Sequence, residues 1–365
     1  MADPLSSVWV KTRPEAGLTP ELKFIPMEHA LTSLAASLSM PLLLGLIVAC
    51  IVILSKGADW MIEGVVELAQ RTGMPRIIIG ATIVSLGTTL PEAFVSVTAA
   101  WMGTSGLALG NGVGSIIADT GLVLGVACLL TRIPMNTFIL NRTGWIQVGS
   151  ATLLVILALV ARWHTPDMPV LGRKTGIAFL ILLAGYIYIS YFWAKAGGEQ
   201  VVLGEEEAST RSVPLSLIQI LIGLTLVVAG ARVLVPAASE IAVRLGVPED
   251  IIAATMVALG TSLPELVTGI TAVRKGHPEV MVGNVVGADV LNCLFVIGAA
   301  ATARPLTVHP TFFTFHFPAM LIILYSFRLF IGLNQDGFFK RWQGAWLLAV
   351  YVVYIALQYS LNLGG

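Results

Sequence analysis

Residues 57–125 recur at 230–298, 173 positions later, without a gap. Gly57 falls on Gly230, Gly73 on Gly246, Pro75 on Pro248, Glu92 on Glu265, Asn111 on Asn284 and Gly125 on Gly298. Of the 69 aligned positions 27 are identical, far more than two unrelated apolar stretches share, so the chain is a duplicated unit. Its copies do not read as soluble domains. The 365 residues are 56% hydrophobic and 12% charged, against about 25% charged in a soluble domain, so the apolar surface exceeds what a soluble core hides. A membrane helix needs about 20 mainly apolar residues. Ten stretches qualify, at about 39–68, 76–100, 106–130, 145–162, 176–194, 214–242, 249–272, 279–302, 312–330 and 343–362. Each copy holds five, and an odd number of crossings turns the second copy upside down, the inverted-repeat plan of secondary transporters. The expected fold is an all-α membrane protein: ten transmembrane helices as two inverted five-helix repeats, with broken helices at the midplane.

The organisation follows. Residues 1–37 form a polar tail, with a short interfacial helix near Glu28 to Ser37 and no signal-peptide pattern. Residues 38–194 form the first repeat, with its motif region at 80–125. An acidic linker, 195–212, carries Glu199, Glu205, Glu206 and Glu207. Residues 213–365 form the second repeat, with its motif region at 253–298. With the N-terminus outside, the cytoplasmic loops receive Arg71, Arg76, Arg132, Arg142, Lys195, Arg211, Arg274, Lys275, Arg328, Lys340 and Arg341. The positive-inside rule then places both termini outside, and the plasma (inner) membrane is the expected location. A net charge of zero implies no nucleic-acid partner. Cys50, Cys128 and Cys293 have no metal-ligand spacing and read as buried, inert thiols. There is no nucleophile elbow, P-loop or HExxH motif, which argues against an enzyme and against a cofactor. His164, His277, His309 and His316 fall at or near loop ends.

Two stretches carry the chemistry: Gly87-Thr88-Thr89-Leu90-Pro91-Glu92 and Gly260-Thr261-Ser262-Leu263-Pro264-Glu265. Each lies within an apolar span. Glycine and proline break the helical ladder and free carbonyl oxygens, tolerated at that depth only against protein or a water-filled cavity. The hydroxyls and the two carboxylates complete a set of hard oxygen ligands, suited to sodium or calcium rather than zinc or copper. A kinked helix with a hydrogen-bonded glutamate accounts for one copy as well, but two copies at symmetric positions favour an ion site. A second pair of stretches begins at Gly110-Asn111 and Gly283-Asn284. It places Asn111, Ser115 and Asp119, and likewise Asn284, Ala288 and Asn292, four residues apart on one helix face. Interhelical hydrogen bonding is an alternative reading for Asn111 and Asn284. It does not suffice for Asp119, since an unpaired intramembrane carboxylate needs a reason.

These motifs resemble the two alpha-repeats of the cation/calcium exchanger superfamily, nearest its prokaryotic sodium/calcium exchanger-type antiporters, over about residues 39–362. The resemblance implies ten helices, four of them around a midplane site. By it, Glu92 and Glu265 match the calcium-ligating glutamates, and Thr88 and Thr261 the threonines giving carbonyl and hydroxyl ligands. Thr89 and Ser262 match the adjoining hydroxyls, Ser85 and Ala258 the positions whose carbonyls contact sodium, and Ser115 a sodium-ligating serine. Asp119 and Asn292 match the remaining central polar pair, with the Asp and Asn types exchanged relative to archaeal members. Ala288 stands where the family usually has serine, so one sodium site lacks a hydroxyl. Asp289, beside it, is either a compensating ligand or a packing or gating residue.

The function so implied is exchange of Ca2+ for Na+ by alternating access, with the two ions as substrates, the lipid bilayer as surroundings, and a monomer sufficient for the task. The two cargoes exclude each other, and the long first and sixth helices slide against the core. The alternatives are a proton-coupled or other divalent-cation exchanger of the same fold, prompted by Ala288 and the Asp/Asn exchange, or a cation channel, against which the inverted repeat argues. Asp59 and Arg232 occupy equivalent positions on the two long helices, and Asp59 is expected to pair with Lys56, with Arg232 or with both.

Overall fold

The computed structural model describes residues 26–196, 212–246, 249–334 and 336–360, and side chains at 30–193, 212–246, 262–334 and 336–360. Residues 197–211 of the linker therefore lie outside the described residues, as does the tail before residue 26. The described chain is helical: α1 Pro26–Ser37, α2 Met40–Thr72, α3 Arg76–Met102, α4 Ser105–Leu130, α5 Thr137–His164, α6 Arg173–Ala196, α7 Val213–Arg244, α8 Glu249–Arg274, α9 Pro278–Ala303, α10 Phe312–Leu333 and α11 Arg341–Ser360. Of these, α2 to α7, α9 and α10 are long and apolar enough to cross a membrane. Large apolar side chains face outward on them, among them Leu42, Val48, Phe94, Ile181 and Leu221. An apolar exterior of this kind is stable against lipid and not against water. Helix α2 runs a turn further than the apolar pattern alone indicates. It continues through polar residues until Gly73, whose φ of 69° closes the helix with an N–H to the Ala69 carbonyl.

Helix α9 is innermost: 94% of its most apolar stretch is buried, against 22% in α2 and in α6. Three glycines bring it against α3. A Cβ on Gly283 would fall 2.1 Å from the Ile77 carbonyl oxygen, one on Gly287 2.4 Å from that of Ala81, and one on Gly80 2.5 Å from that of Val280. Only glycine permits this approach. Helices α2 and α7 form a long outer pair that meets in the same way. A Cβ on Gly57 would lie 2.8 Å from the Gly223 carbonyl oxygen, and one on Gly223 would lie 2.5 Å from that of Gly57.

Two short antiparallel strand pairs bridge the connections. β1 (Ile133–Pro134) pairs with β4 (Phe338–Phe339), and β2 (Val170–Leu171) pairs with β3 (Leu306–Thr307). Each pair joins one sequence repeat to the other.

The charges on the outer pair find partners other than those the sequence suggests. Asp59 lies 3.5 Å from Lys275, whose ammonium is also 2.7 Å from Glu63. Asp59 pairs with neither Lys56 nor Arg232 among the described residues. Arg232 instead lies within electrostatic reach of Glu92. Lys275 follows the end of α8, so this contact fastens α2 to α8. Partial burial of Lys275 disfavours its charge, but the Glu63 and Asp59 carboxylates outweigh that and hold its pKa above the usual lysine value. The three cysteines are free and buried, as expected. His316 is not at a loop end but buried within α10, bonded to the Tyr354 hydroxyl at 2.9 Å.

Two measurements test these contacts. Gly223→Leu is expected to force α2 from α7 and destabilise the fold by about 1–3 kcal/mol, read as a lower Tm in detergent. Lys275→Gln is expected to cost less than about 1 kcal/mol, because the pair is partly exposed. The deficit relative to wild type is present at neutral pH and closes as pH rises through the range where wild-type Lys275 loses its proton.

Candidate ion-binding site

The two Pro-Glu motifs lie within α3 and α8 and, with the central parts of α4 and α9, form one polar interior. Pro91 has no N–H for the Gly87 carbonyl, and Pro264 has none for that of Gly260. The ladder is loosened again by wide π turns at Gly80–Val84 in α3, Asp119–Leu124 in α4 and Asn292–Val296 in α9. Turns of this type recur at functional sites. Two of them begin on the central polar pair, Asp119 and Asn292, whose positions are equivalent in the two repeats.

Ser85, Thr88, Thr89, Glu92, Ser115, Asp119, Ser262, Glu265 and Asn292 are all buried. Glu92, Glu265 and Asp119 lie within electrostatic reach of one another. Asn292 donates its amide N–H to Asp119 Oδ2 at 3.4 Å, so the exchanged Asp and Asn meet. The Thr88 hydroxyl is shared between the Ser85 carbonyl, 3.3 Å, and Asn284 Oδ1, 3.4 Å. That contact engages the Ser85 carbonyl oxygen. Thr261 and Ala258 belong to the α8 backbone, but their side chains lie outside the described residues.

The two equivalent asparagines are used differently. Asn111 donates to the Glu92 carbonyl at 3.1 Å and to Ser96 Oγ at 2.9 Å. Asn284 accepts from Thr88 and leaves its amide nitrogen unpartnered. The Glu265 carbonyl is met instead from its own helix, by the Thr268 hydroxyl at 3.1 Å. Sequence reasoning missed Thr268 and the π turns. Thr268 faces Val95 in the repeat alignment, and a hydroxyl found in one copy only is the signal that marks it.

Among the described residues, and besides Asp289 Oδ1, six buried side-chain oxygens on α3, α4, α8 and α9 have no hydrogen-bond partner: Thr89 Oγ1, Glu92 Oε2, Asp119 Oδ1, Ser262 Oγ, Glu265 Oε2 and Asn292 Oδ1. Buried acceptors left unsatisfied are costly, and here they concentrate where the chain is also loosened to expose carbonyls. Among the described residues no three His, Cys, Asp or Glu side chains converge on one metal position. The arrangement therefore suits hard cations shared among carboxylate, hydroxyl, amide and carbonyl oxygens, not a compact carboxylate or thiolate cage.

Comparison with known proteins agrees with this chemistry. The profile of the family described as "Sodium/calcium exchanger protein" matches residues 42–192 and 215–360. The sodium/calcium exchanger MaX1 of Methanosarcina acetivorans is 29% identical over 349 residues, 88% of this chain and 98% of its own length. The inner membrane protein YrbG of Escherichia coli is also 29% identical, covering 88% of this chain and 98% of its own. The sodium-calcium exchanger of Methanococcus jannaschii, solved after soaking with 10 mM Na+ and zero Ca2+, superposes with a TM-score of 0.73 at 27% identity. It covers 87% of this chain and 99% of that one.

Asn111→Ala removes the donor to the Glu92 carbonyl and to Ser96. It is expected to lower stability by about 1–3 kcal/mol, measured as thermal unfolding in detergent, with weaker cation protection against heating.

Proposed function

The chain belongs to the sodium/calcium exchanger protein family, and we propose that it exchanges Ca2+ for Na+ across a membrane by alternating access. The six unpartnered site oxygens on four packed helices carry this reading. In it, Glu92 and Glu265 ligate calcium with Thr88 and Thr261, while Thr89, Ser262, Ser115 and the carbonyls of Ser85 and Ala258 serve sodium. Asp119 and Asn292 complete the centre. An empty carboxylate cluster is too costly to carry through an apolar barrier, so the change of facing is favoured only when Ca2+ or several Na+ balance the charge. The ions shift the equilibrium by their different affinities for the two facings.

We read the architecture as ten spans in two inverted repeats, 38–194 and 213–365. Helix parity supports this: counting α2 to α11 as crossings puts the β1–β4 pair at one membrane face and its repeat counterpart, β2–β3, at the other. The loop Lys and Arg bias supports both termini outside, in the plasma (inner) membrane. The outer pair α2 and α7 is the element that slides.

The test is uptake of radioactive calcium by proteoliposomes loaded with sodium or with potassium. Uptake is expected to require internal sodium. It should fall by about 100-fold or more in Glu92→Gln and in Glu265→Gln, as expected when one member of a buried charge set is removed. Uptake indifferent to sodium but driven by a pH gradient would replace this reading with a proton-coupled exchanger of the same fold, the alternative that Ala288 favours. Uptake that ignores every counter-gradient would mean a channel.

A further inference from the structure

Asp289 is a further buried carboxylate, beside the ion site and outside the duplicated motif. It is 1% exposed, at the heart of α9. Its Oδ2 accepts from the Thr120 hydroxyl of α4 and from Gln147 Nε2 of α5, each at 2.5 Å. Thr120 and Gln147 are equally buried. The repeat does not duplicate this cluster. The positions equivalent to Asp289, Thr120 and Gln147 are Ile116, Cys293 and Met320, so the cluster was added to one half only and the paired ion site does not account for it.

Two of its atoms have no hydrogen-bond partner: Asp289 Oδ1 and Gln147 Oε1. Both are acceptors when the carboxylate is ionised, so neither can satisfy the other. A proton on Oδ1 changes this. The acid O–H donates to the amide oxygen while the amide N–H donates to the acid carbonyl, and the pair closes as a carboxylic acid–amide ring. Turning the amide over puts its oxygen against Oδ2 and again requires a proton between them. Asp119 of α4 lies within electrostatic reach of Asp289, and Glu92 of α3 and Glu265 of α8 reach Asp119 in turn. The Cys293 thiol lies one turn along α9. Arg328 of α10 stacks on Trp145 at 4.4 Å, and no Lys, Arg or His pairs with Asp289 among the described residues. An isolated anion here is costly and a neutral acid is not. A metal cation fits less well: Thr120 and Gln147 aim hydrogens at Oδ2, leaving about two free oxygens where calcium takes 6–8.

We infer that Asp289 is a proton-binding site, a neutral carboxylic acid paired with the Gln147 amide, beside the ion site but outside the duplicated motif. It ties α9 to α4 and α5 without adding charge beside Asp119. The inference rests on the Asp289 geometry and not on which ions the protein carries.

Infrared difference spectroscopy of the full-length protein in lipid nanodiscs tests it directly. At neutral pH the wild type is expected to show the carbonyl stretch of a protonated carboxylic acid, shifted on deuteration. Asp289→Asn should abolish that band, and Gln147→Leu should move it to higher wavenumber by removing the amide partner. Acid bands unchanged in Asp289→Asn would show that Asp289 is ionised and overturn the proposal. If Asp289→Asn does not fold, Gln147→Leu decides alone, since acid bands that do not move exclude the pair. Loss of the band on adding Na+ or Ca2+ at constant pH would make Asp289 a metal-cation site and overturn it as well.

Discussion

A carboxylate inside an apolar bundle has to be kept from lipid and given something to bind. Glu92, Glu265 and Asp119 set that requirement, and the rest of the architecture answers to it. Outer helices rich in exposed Leu, Ile and Val shield a centre whose helices are proline-broken and π-widened. The loosening would be a liability at a lipid-facing surface, where unpaired backbone groups find no water. In the interior it turns helix carbonyls toward a polar centre. The glycine crossings have the same origin, because carboxylates and carbonyls from different helices converge only if the backbones approach within contact distance.

Much of this was legible in the sequence. The 173-residue repeat, the two Pro-Glu motifs and the polar face through Asn111, Ser115 and Asp119 already marked the polar residues that the structure buries together, because polar residues kept at matching places in two apolar spans are too costly to be incidental. The contacts between copies were not legible. Asn111 and Asn284 are identical in type and context, yet one caps the Glu92 carbonyl and the other receives Thr88. That difference arises from packing across helices, which a repeat alignment averages away. Asp59 and Arg232 looked like partners because the alignment superposes them. Superposition of two copies on paper does not bring their residues together in space, and Lys275, at the end of a different helix, is the cation that reaches Asp59. The π turns were hidden for another reason: a single inserted residue in a helical turn has no compositional mark.

Three differences between the copies bear on the polar centre. Asp119 against Asn292, Ser115 against Ala288 and Ile116 against Asp289 all fall in α4 and α9. The acidic residue central to one half is replaced by an amide in the other, and the amide donates to it. A duplicated frame thus holds an asymmetric polar interior, which is what different work by the two halves requires.

The small strand pairs have a consequence for ancestry. β1 of the first half is completed by β4 of the second, and β3 of the second by β2 of the first. Neither half supplies both strands of any pair. A forebear with one copy of the unit could have made these pairings only between two molecules, so the duplication points back to a half-length chain that paired with a second copy of itself. Fusion of the two genes then freed each half to accumulate its own mutations, and Asp289 is the kind of change a homodimer could not have confined to one side.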